Sequence, residues 1–495
     1  MIRPFLPACF LFAAIVFNAQ AQTPLPEKVV AMLRAANIGE QHVGIHAIRV
    51  ADGAVVLSHR PNQSMQPASS MKVLTAIAGL EQLGPTYRGR TELRTAAKLT
   101  DGVLEGDLVL RGMGDPDMDW ESLQKMLQAL RNKGIQRIRG DLILDRTWYR
   151  PARPDLGVPP FDETPEFRYN VIPDALMLNS NLIQLDMESD GISVKARITP
   201  PLQRVEVVNT MSMIDRACDK WEDGWQLPAT EKTPGGVIRI TLKGNYPRNC
   251  NAQTSINVLD RTDFADRLFR SLWSNLGGAY DGTTREGAAP AETRLLADHR
   301  SRTLAEFVRD INKRSDNPIT RMLYLALADS DSGYRASTDE SAARSEKVVR
   351  DWLKRNGIND RGLVLENGSG LSRTERITPA QLAAVLKVAN QSRWAPEFMA
   401  SLPIIGVDGA MRLRLHQTPA AQRGRFKTGS LYNTLSVAGY VPDAEGRLCI
   451  VVAILNHENM PGPVGRPILD AIIDAVQRGG GAQVLSDPMK QYSGG

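Results

Sequence analysis

Ser69 and Lys72 are separated by two residues, a spacing that places both side chains on one face of a helix. A serine hydroxyl is a poor nucleophile until a base takes its proton. A lysine becomes such a base when burial or a neighbouring cation disfavours its charge. Pro67 and Ala68 precede the pair, and an apolar run with helical spacing follows as far as Gly84. We predict a buried helix that begins at Ser69, where backbone N–H groups and the helix dipole would stabilise an oxyanion.

The Ser-x-x-Lys spacing has low specificity on its own. Ser122 and Lys125 repeat it at the start of another helical run, where an exposed amphipathic helix explains it. Ser69 differs in its setting, because an almost wholly apolar helix follows it and two further motifs lie downstream.

The sequence Ser315-Asp316-Asn317 lies between two helical runs, and the next residue is a proline that suits a first helical turn. We predict a tight loop that displays polar groups. Ser315 would relay a proton between Lys72 and a leaving amine. Asn317 would bind a substrate amide and steady Lys72. A simple helix N-cap is the alternative.

Lys427, Thr428 and Gly429 form the single Lys-Thr-Gly sequence of the chain and lie in a strand-like run. Gly429 would let a ligand approach the backbone. Lys427 would supply positive charge, and Thr428 would bind a carboxylate. The backbone N–H of Ser430 would complete an oxyanion hole with that of Ser69. A solvated strand end with a turn glycine is the alternative.

The three motifs, in this order, indicate a serine acyl-transfer enzyme. The sequence contains no H-E-x-x-H zinc motif and no G-x-S-x-G nucleophile elbow. The cysteines do not have the spacing of zinc ligands. We therefore expect neither a metal nor a cofactor.

Residues 1–21 have the composition of an export signal. Arg3 gives a positive start, an apolar run extends from Phe5 to Phe17, and Ala19-Gln20-Ala21 offers a cleavage site. The apolar run is short for a bilayer span. We predict cleavage after Ala21 and a mature chain in the bacterial periplasm, without a stable membrane span.

The net charge argues against nucleic acid as a partner. It is +5 over 495 residues, and loss of Arg3 with the signal leaves +4. No dense run of Lys and Arg with interleaved aromatic residues occurs. A mildly basic surface suits an anionic wall polymer instead.

Three cysteines would remain after cleavage. Cys218 and Cys250 both lie in polar, loop-like sequence, so in an oxidising compartment they could form one disulfide. Cys449 lies within an apolar run and is expected to be a buried thiol.

The length predicts two or three folded units. Residues 43–59 have the pattern of a hairpin around Ala51-Asp52-Gly53. Turn-rich strands then follow, helical spacing resumes after Leu259, and strands return near the end of the chain. The predicted organisation is a split catalytic domain of residues 22–93 and 256–480, an inserted β-rich region of residues 94–255 in two parts, and a flexible tail of residues 481–495.

The motifs and their surroundings resemble the penicillin-recognising serine enzymes. Within that group they are most similar to the D-alanyl-D-alanine carboxypeptidase/endopeptidases of the penicillin-binding protein 4 type, the low-molecular-mass class C penicillin-binding proteins. The similar stretches span nearly the whole mature chain and are PASSMKVLTAIAGLEQLGPTY, LVLRGMGDPD, RYNVIPDALMLNSNLIQLDM, INKRSDNPITRMLYL, LENGSGLSR and GRFKTGSLYNTLSVAGYV.

The resemblance implies an α/β (α+β) fold. A penicillin-binding, transpeptidase-like domain with a central antiparallel sheet flanked by helices would be split by inserted β-rich domains. It also implies that peptidoglycan stem peptides ending in D-Ala-D-Ala, and crosslinks between D-Ala and meso-diaminopimelate, are the substrates. β-Lactams would be covalent inhibitors.

By matching position, the catalytic residues of these enzymes correspond to Ser69, Lys72 and Ser315. The binding residues correspond to Asn317, Lys427, Thr428 and Gly429. Asn367 stands where many relatives have Asp, in a loop expected near the site.

Two other functions fit part of this pattern. A serine β-lactamase uses the same acylation but needs a group that activates water for deacylation, and the sequence does not identify one. A catalytically silent wall-binding protein would keep the fold, but the intact motif residues argue against it.

Overall fold

The computed structural model describes residues 23–330, 338–458 and 460–479. The predicted signal of residues 1–21 and the predicted tail of residues 481–495 lie outside the described residues. The helices are α1 Glu27–Ala35, α2 Lys72–Leu83, α3 Trp120–Asn132, α4 Arg261–Asn275, α5 Leu304–Lys313, α6 Asn317–Ala326, α7 Ser341–Arg355, α8 Pro379–Gln391, α9 Ala395–Ser401 and α10 Gly462–Gln477.

The strands up to the middle of the chain are β1 Val43–Arg49, β2 Val55–His59, β3 Arg90–Thr95, β4 Leu99–Thr100, β5 Val103–Leu104, β6 Leu108–Met113, β7 Arg137–Ile138, β8 Leu142–Asp145, β9 Ile183–Ser189, β10 Val194–Thr199, β11 Val205–Asn209 and β12 Ser212–Ile214. The later strands are β13 Trp225–Lys232, β14 Ile238–Pro247, β15 Asn251–Ile256, β16 Ala279–Tyr280, β17 Thr284–Glu286, β18 Arg294–Arg300, β19 Arg425–Leu431, β20 Thr434–Pro442 and β21 Leu448–Asn456.

A five-stranded antiparallel sheet, in the order β19-β20-β21-β1-β2, joins the two ends of the chain. Strands β1 and β2 form the hairpin that the sequence predicts. Alternate residues of β21 face opposite sides of the sheet, as the two-residue period of a strand requires. Cys449, Val451, Ala453 and Leu455 pack in a core with residues of α1 and α10. Ile450, Val452 and Ile454 pack in a second core with residues of α2 and α8. Both faces are covered, so β20 and β21 are apolar along almost their whole length.

Helix α2 lies within the second core, where it packs against α5, α6 and α8. Its first nine residues are all buried. A helix that is apolar on all sides is stable only when neighbours surround it, which accounts for its composition. Ser69 itself lies one turn earlier, in the short 3-10 segment Ala68–Met71 that leads into α2.

The remaining sheets lie between the two halves of this unit. They have the orders β17-β8-β6-β3-β18, β16-β7-β5-β4, β10-β9-β15 and β11-β14-β12, with β13 paired to β14. Strands β16, β17 and β18 pair with β7, β8 and β3, and α4 packs into the core of this β-rich region. We therefore propose that the inserted region extends to about residue 300, beyond the sequence-based boundary at residue 255.

Cys218 and Cys250 form the disulfide that the sequence left open. Cys449 is a buried free thiol, as the sequence predicts. Across the described ranges, no helix combines the length and the apolar composition needed to cross a membrane. The same residues contain no cluster of three or more His, Cys, Asp or Glu side chains arranged to hold a metal ion.

Candidate active site

The three sequence motifs meet at one cleft beside the edge strand β19. The cleft has a volume of about 450 Å³. It is lined by Ser69, Ser315, Gly409, Ala410, Arg412, Leu413, Arg414, Thr428, Gly429, Ser430, Leu435, Ser436, Arg466 and Leu469. Residues that are separated by more than 350 positions in the chain thus share one small space.

Lys72 is completely buried, and its amine is hydrogen-bonded to the hydroxyl of Ser69, the candidate nucleophile. The Nζ atom donates hydrogen bonds to Ser69 Oγ at 3.0 Å, to Asn317 Oδ1 at 2.6 Å and to the carbonyl oxygen of Ser369 at 2.5 Å. Three acceptors fix the amine in one position. The contact with Ser69 is within the range in which a base can take a hydroxyl proton.

Burial lowers the pKa of Lys72 well below its ordinary value, and the nearby charge of Lys427 lowers it further. Asp316 and Glu375 oppose this shift. A lowered pKa increases the fraction of neutral amine near neutral pH, and the neutral amine is the form that accepts a proton. The environment therefore favours the role of base that the sequence suggests.

In the second motif, Asp316 serves as the structural cap. Its side chain accepts the backbone N–H of Ile319 at 2.9 Å and is the N-cap of α6. The cap interpretation therefore holds for Asp316, while its two neighbours turn toward the site. Ser315 has a φ of 59°, a left-handed conformation that is uncommon for a residue other than glycine. Asn317 lies in the first turn of α6 and holds Lys72.

Two residues from a distant part of the chain hold this loop in place. Arg168 pairs with the Asp316 carboxylate at 2.9 Å, and the carbonyl oxygen of Tyr169 accepts the side-chain amide of Asn317 at 3.0 Å. The sequence does not reveal either contact, because about 150 residues separate the partners. We expected Asn317 to bind a substrate amide, and in this structure its side-chain nitrogen instead donates a hydrogen bond to the Tyr169 carbonyl oxygen.

Lys427 of the third motif is also fully buried, and it points toward Ser315. Its Nζ donates to Ser315 Oγ at 2.9 Å and to the carbonyl oxygen of Thr428 at 2.7 Å. Burial lowers the pKa of Lys427 to about 7. Lys427 therefore links the second and third motifs, and Thr428 and Ser430 are the residues of this strand that line the cleft together with Gly429.

Gly429 allows β19 to run directly against the nucleophile turn. A Cβ atom at this position would lie 2.3 Å from Ser436 Oγ, 2.7 Å from the carbonyl oxygen of Pro67 and 2.9 Å from the backbone nitrogen of Ser69. Two of these three neighbours are backbone atoms that cannot move aside easily. Only glycine permits the strand to approach the backbone of Ser69 so closely.

The loop of residues 366–372 forms the other wall of the Lys72 site. Gly370 has a φ of 80°, and a Cβ atom there would lie 1.8 Å from the carbonyl oxygen of Ala68. Asn367, whose role the sequence left open, shapes this loop. Its Oδ1 accepts hydrogen bonds from both the hydroxyl and the backbone N–H of Ser369. The contact with the base comes from the Ser369 carbonyl oxygen.

Glu375 is a further residue of this site that sequence reasoning missed. It is fully buried, and its carboxylate accepts backbone N–H groups from the loop at 2.7–3.2 Å. The donors are Glu366, Asn367, Gly368 and Gly370. Burial raises the pKa of Glu375, and these N–H groups oppose the shift. A single acidic residue after a glycine-rich loop gives no sequence signal for this arrangement.

The second Ser-x-x-Lys occurrence lies away from the cleft. Ser122 is in the first turn of α3 and contacts the His299 ring at 3.3 Å, whereas Lys125 is exposed. The structure thus separates the two occurrences on the basis of burial, which supports the assignment made from the setting of Ser69.

A model of the D-Ala-D-Ala carboxypeptidase 3 (S13) family matches residues 25–476. The chain belongs to this family. A D-alanyl-D-alanine carboxypeptidase from an Actinomadura species is 28% identical over 483 residues, which cover 95% of this chain and 88% of that protein. D-alanyl-D-alanine carboxypeptidase DacB from Haemophilus influenzae is 27% identical over 429 residues, which cover 84% of this chain and 85% of that protein.

The fold is that of penicillin-binding protein 4. The crystal structure of the Haemophilus influenzae protein of that name superposes with a TM-score of 0.75 at 23% identity, and the match covers 91% of this chain and 99% of the other. The family and the fold confirm the resemblance, the fold class and the enzyme class predicted from the motifs. This chain is a serine-type D-Ala-D-Ala carboxypeptidase.

Proposed function

We propose that Ser69 is the nucleophile of this carboxypeptidase and Lys72 its general base. The observation that carries the proposal is the contact between the buried Lys72 amine and Ser69 Oγ at 3.0 Å. The lowered pKa of Lys72 supports it. A neutral amine has two N–H donors, which suffice for Asn317 and Ser369, and its lone pair then accepts the Ser69 hydroxyl proton as the Ser69 oxygen attacks a carbonyl carbon.

In the proposed acylation step, Ser69 Oγ forms a bond to the carbonyl carbon of the penultimate D-Ala. The backbone N–H groups of Ser69 and Ser430 stabilise the resulting oxyanion. Collapse breaks the C–N bond, and the leaving amine takes a proton through Ser315, whose hydroxyl is bonded to Lys427. The products of this step are the acyl-enzyme and a free amine.

In the proposed deacylation step, a water molecule attacks the acyl ester and gives a proton to Lys72. The ester bond breaks, and Ser69 recovers its hydroxyl proton. The overall reaction is hydrolysis, with no change in oxidation state and no other reactant.

We further propose two peptidoglycan substrates: stem peptides that end in D-Ala-D-Ala and crosslinks between D-Ala and meso-diaminopimelate. Both place a D-alanyl carbonyl at the scissile bond. The enzyme would therefore be a carboxypeptidase and a DD-endopeptidase, and β-lactams would acylate the same serine. A Haemophilus influenzae homologue of this fold has been crystallised with a β-lactam, which supports the last point.

Digestion of purified muropeptide monomers and dimers, with a mass-spectrometric readout, tests the proposal. We expect wild-type enzyme to release D-Ala from pentapeptide monomers and to convert dimers to monomers. Ser69→Ala should abolish both reactions. Ser122→Ala, in the other Ser-x-x-Lys occurrence, is the matched control and should retain both. Loss of activity in the control alone, or full activity of Ser69→Ala, would overturn the assignment.

We also propose that the chain acts in the periplasm after cleavage following Ala21. The disulfide between Cys218 and Cys250 is consistent with an oxidising compartment. Edman sequencing of the protein purified from a periplasmic extract should begin at Gln22. Recovery of the uncleaved chain from the cytoplasm would contradict this localisation.

A further inference from the structure

The cleft around Ser69 carries positive charge that the three motifs do not supply. Three of the residues that line the cleft are arginines, namely Arg412, Arg414 and Arg466. None of the lining residues is Asp or Glu. A cleft lined by one sign of charge attracts the opposite charge and orients it. The substrate group that enters this cleft is therefore expected to be anionic.

Arg414 is already neutralised by a carboxylate. Its Nε and Nη2 atoms both donate to Asp470 Oδ1, at 3.0 Å and 2.7 Å. Arg412 and Arg466 differ, because both are exposed and neither forms an ion pair or a side-chain hydrogen bond with a residue of the described ranges. Two guanidinium groups thus remain available to a ligand.

Lys427 does not provide this charge. It is fully buried, its amine is bonded to Ser315 and Thr428, and it is not among the residues that line the cleft. An arginine keeps its charge at every physiological pH, and its planar fork matches the two oxygens of a carboxylate. The arginines are therefore better suited than the motif lysine to hold a carboxylate in the cleft.

The two free arginines reach the cleft from different elements. Arg412 follows the short turn Gly409–Met411, and Arg466 lies in the first half of α10. Thr428 and Ser430 on β19 are two residues apart, so their side chains share the face of the strand that borders the cleft. Two cations from two elements and two hydroxyls from the strand thus surround the same small space.

We propose that Arg412 and Arg466 bind the carboxylate on the leaving-group side of the scissile bond, and so determine the preference for leaving groups that carry a free carboxylate. This inference rests on the proposed function, since it assigns the leaving group to the cleft beside Ser69. The arginines act on specificity. The chemistry at Ser69 and Lys72 does not require them.

The test compares two tripeptide substrates, diacetyl-L-Lys-D-Ala-D-Ala and its C-terminal amide. They have the same scissile bond but differ in the charge of the terminal group. We expect wild-type enzyme to prefer the acid in kcat/KM. The double variant Arg412→Gln/Arg466→Gln should lose roughly tenfold on the acid, the size expected for charge-assisted contacts that are partly exposed, and should be almost unchanged on the amide. Increasing salt should reduce the wild-type rate on the acid and leave the amide rate unaffected.

Arg423→Gln is the matched control, because this arginine is exposed in the same part of the chain but does not line the cleft. It should keep the wild-type preference, and Arg466→Lys should retain part of it, since the charge remains but the fork is lost. Equal losses on acid and amide would mean a structural role and would overturn the inference. An unchanged preference in the double variant would also overturn it. If wild-type enzyme releases no D-Ala, the proposed function itself fails.

Discussion

Replacement of Glu375 by Gln perturbs a buried carboxylate that organises one wall of the site. Oε1 accepts the N–H groups of Glu366, Asn367 and Gly368, and Oε2 accepts that of Gly370. A carboxylate has only acceptors, whereas a glutamine amide has one acceptor and one donor. In Glu375→Gln the NH₂ group must therefore face at least one backbone N–H.

The expected cost follows from these four contacts. An unpaired buried N–H costs about 1–3 kcal/mol, and each of the other three bonds loses roughly 1 kcal/mol when its acceptor loses its charge. The loop of residues 366–372 is thus destabilised by roughly 4–6 kcal/mol. Its Ser369 carbonyl oxygen is one of three acceptors that hold Lys72. If about 1.4 kcal/mol of this loss reaches the acylation barrier, the rate falls tenfold.

Acylation by a fluorescent penicillin, followed by stopped flow, measures this effect, and urea denaturation reports stability. Glu366→Gln is the matched control. Glu366 is exposed and accepts the hydroxyls of Ser372 and Thr374, which a glutamine oxygen can also accept. We expect the control to stay within about twofold of wild type. A Glu375→Gln enzyme with the wild-type acylation rate and the wild-type urea midpoint would refute the reasoning.

Three further predictions concern the motif residues. Lys72→Arg keeps a cation but removes the neutral base, so acylation should fall at least 100-fold in a fluorescent-penicillin assay, while a protein that acylates normally would exclude Lys72 as the base. Gly429→Ala adds a Cβ atom 2.7 Å from the Pro67 carbonyl oxygen, so acylation should be largely lost. Gly191→Ala is the control, because a Cβ atom there meets nothing within 4 Å, and it should acylate at the wild-type rate. Equal acylation rates for the two variants would contradict the close approach of β19 to the nucleophile turn. The acylation rate should rise with pH through the lowered pKa of Lys72, because only the neutral amine accepts the Ser69 proton, and a pH profile that falls over this range would contradict the mechanism.

The lowered pKa values of the two buried lysines also predict whether the free energy of unfolding rises or falls with pH. Both have a folded-state pKa below the ordinary value, that of Lys427 being about 7. Between the folded and unfolded pKa values the unfolded chain binds more protons, so stability rises with pH in this interval and is lost as pH falls toward 7. Urea midpoints measured from pH 7 to pH 9 should therefore increase once the contribution of other groups is subtracted with a Lys427→Met variant. A midpoint difference between the two proteins that does not depend on pH would contradict the lowered pKa of Lys427.

The sequence predicted those features that depend on local pattern. The apolar run after Ser69 identified α2, the turn at Ala51-Asp52-Gly53 identified the first hairpin, and the strand-like setting of Lys427 identified β19. The spacing of serine and lysine also identified a contact that the structure contains at 3.0 Å. Each of these depends on residues close together in the chain, for which spacing carries the geometry.

Features that depend on distant contacts were not predicted. The carboxylate of Glu375 and the pairing of Arg168 with Asp316 give no local signal, because an isolated charged residue is ordinarily a solvated one. The longer extent that we propose for the inserted region rests on a distant contact as well. The apolar residues of α4 have the same helical spacing as those of α2 and α8, and only the packing of α4 against the β-rich core distinguishes it. The hydrogen bond from Lys427 to Ser315 was likewise not predicted, since a position in a strand does not reveal which residue a lysine amine will contact.

The central claim is that Ser69 is the residue acylated through a neutral Lys72. Its most direct test is peptide mapping by tandem mass spectrometry after incubation with benzylpenicillin, with intact-mass analysis of the same samples. We predict one penicilloyl adduct, located on Ser69, which is absent from Ser69→Ala and persists in Ser122→Ala. An adduct on another residue, or an adduct that survives in Ser69→Ala, would contradict the account.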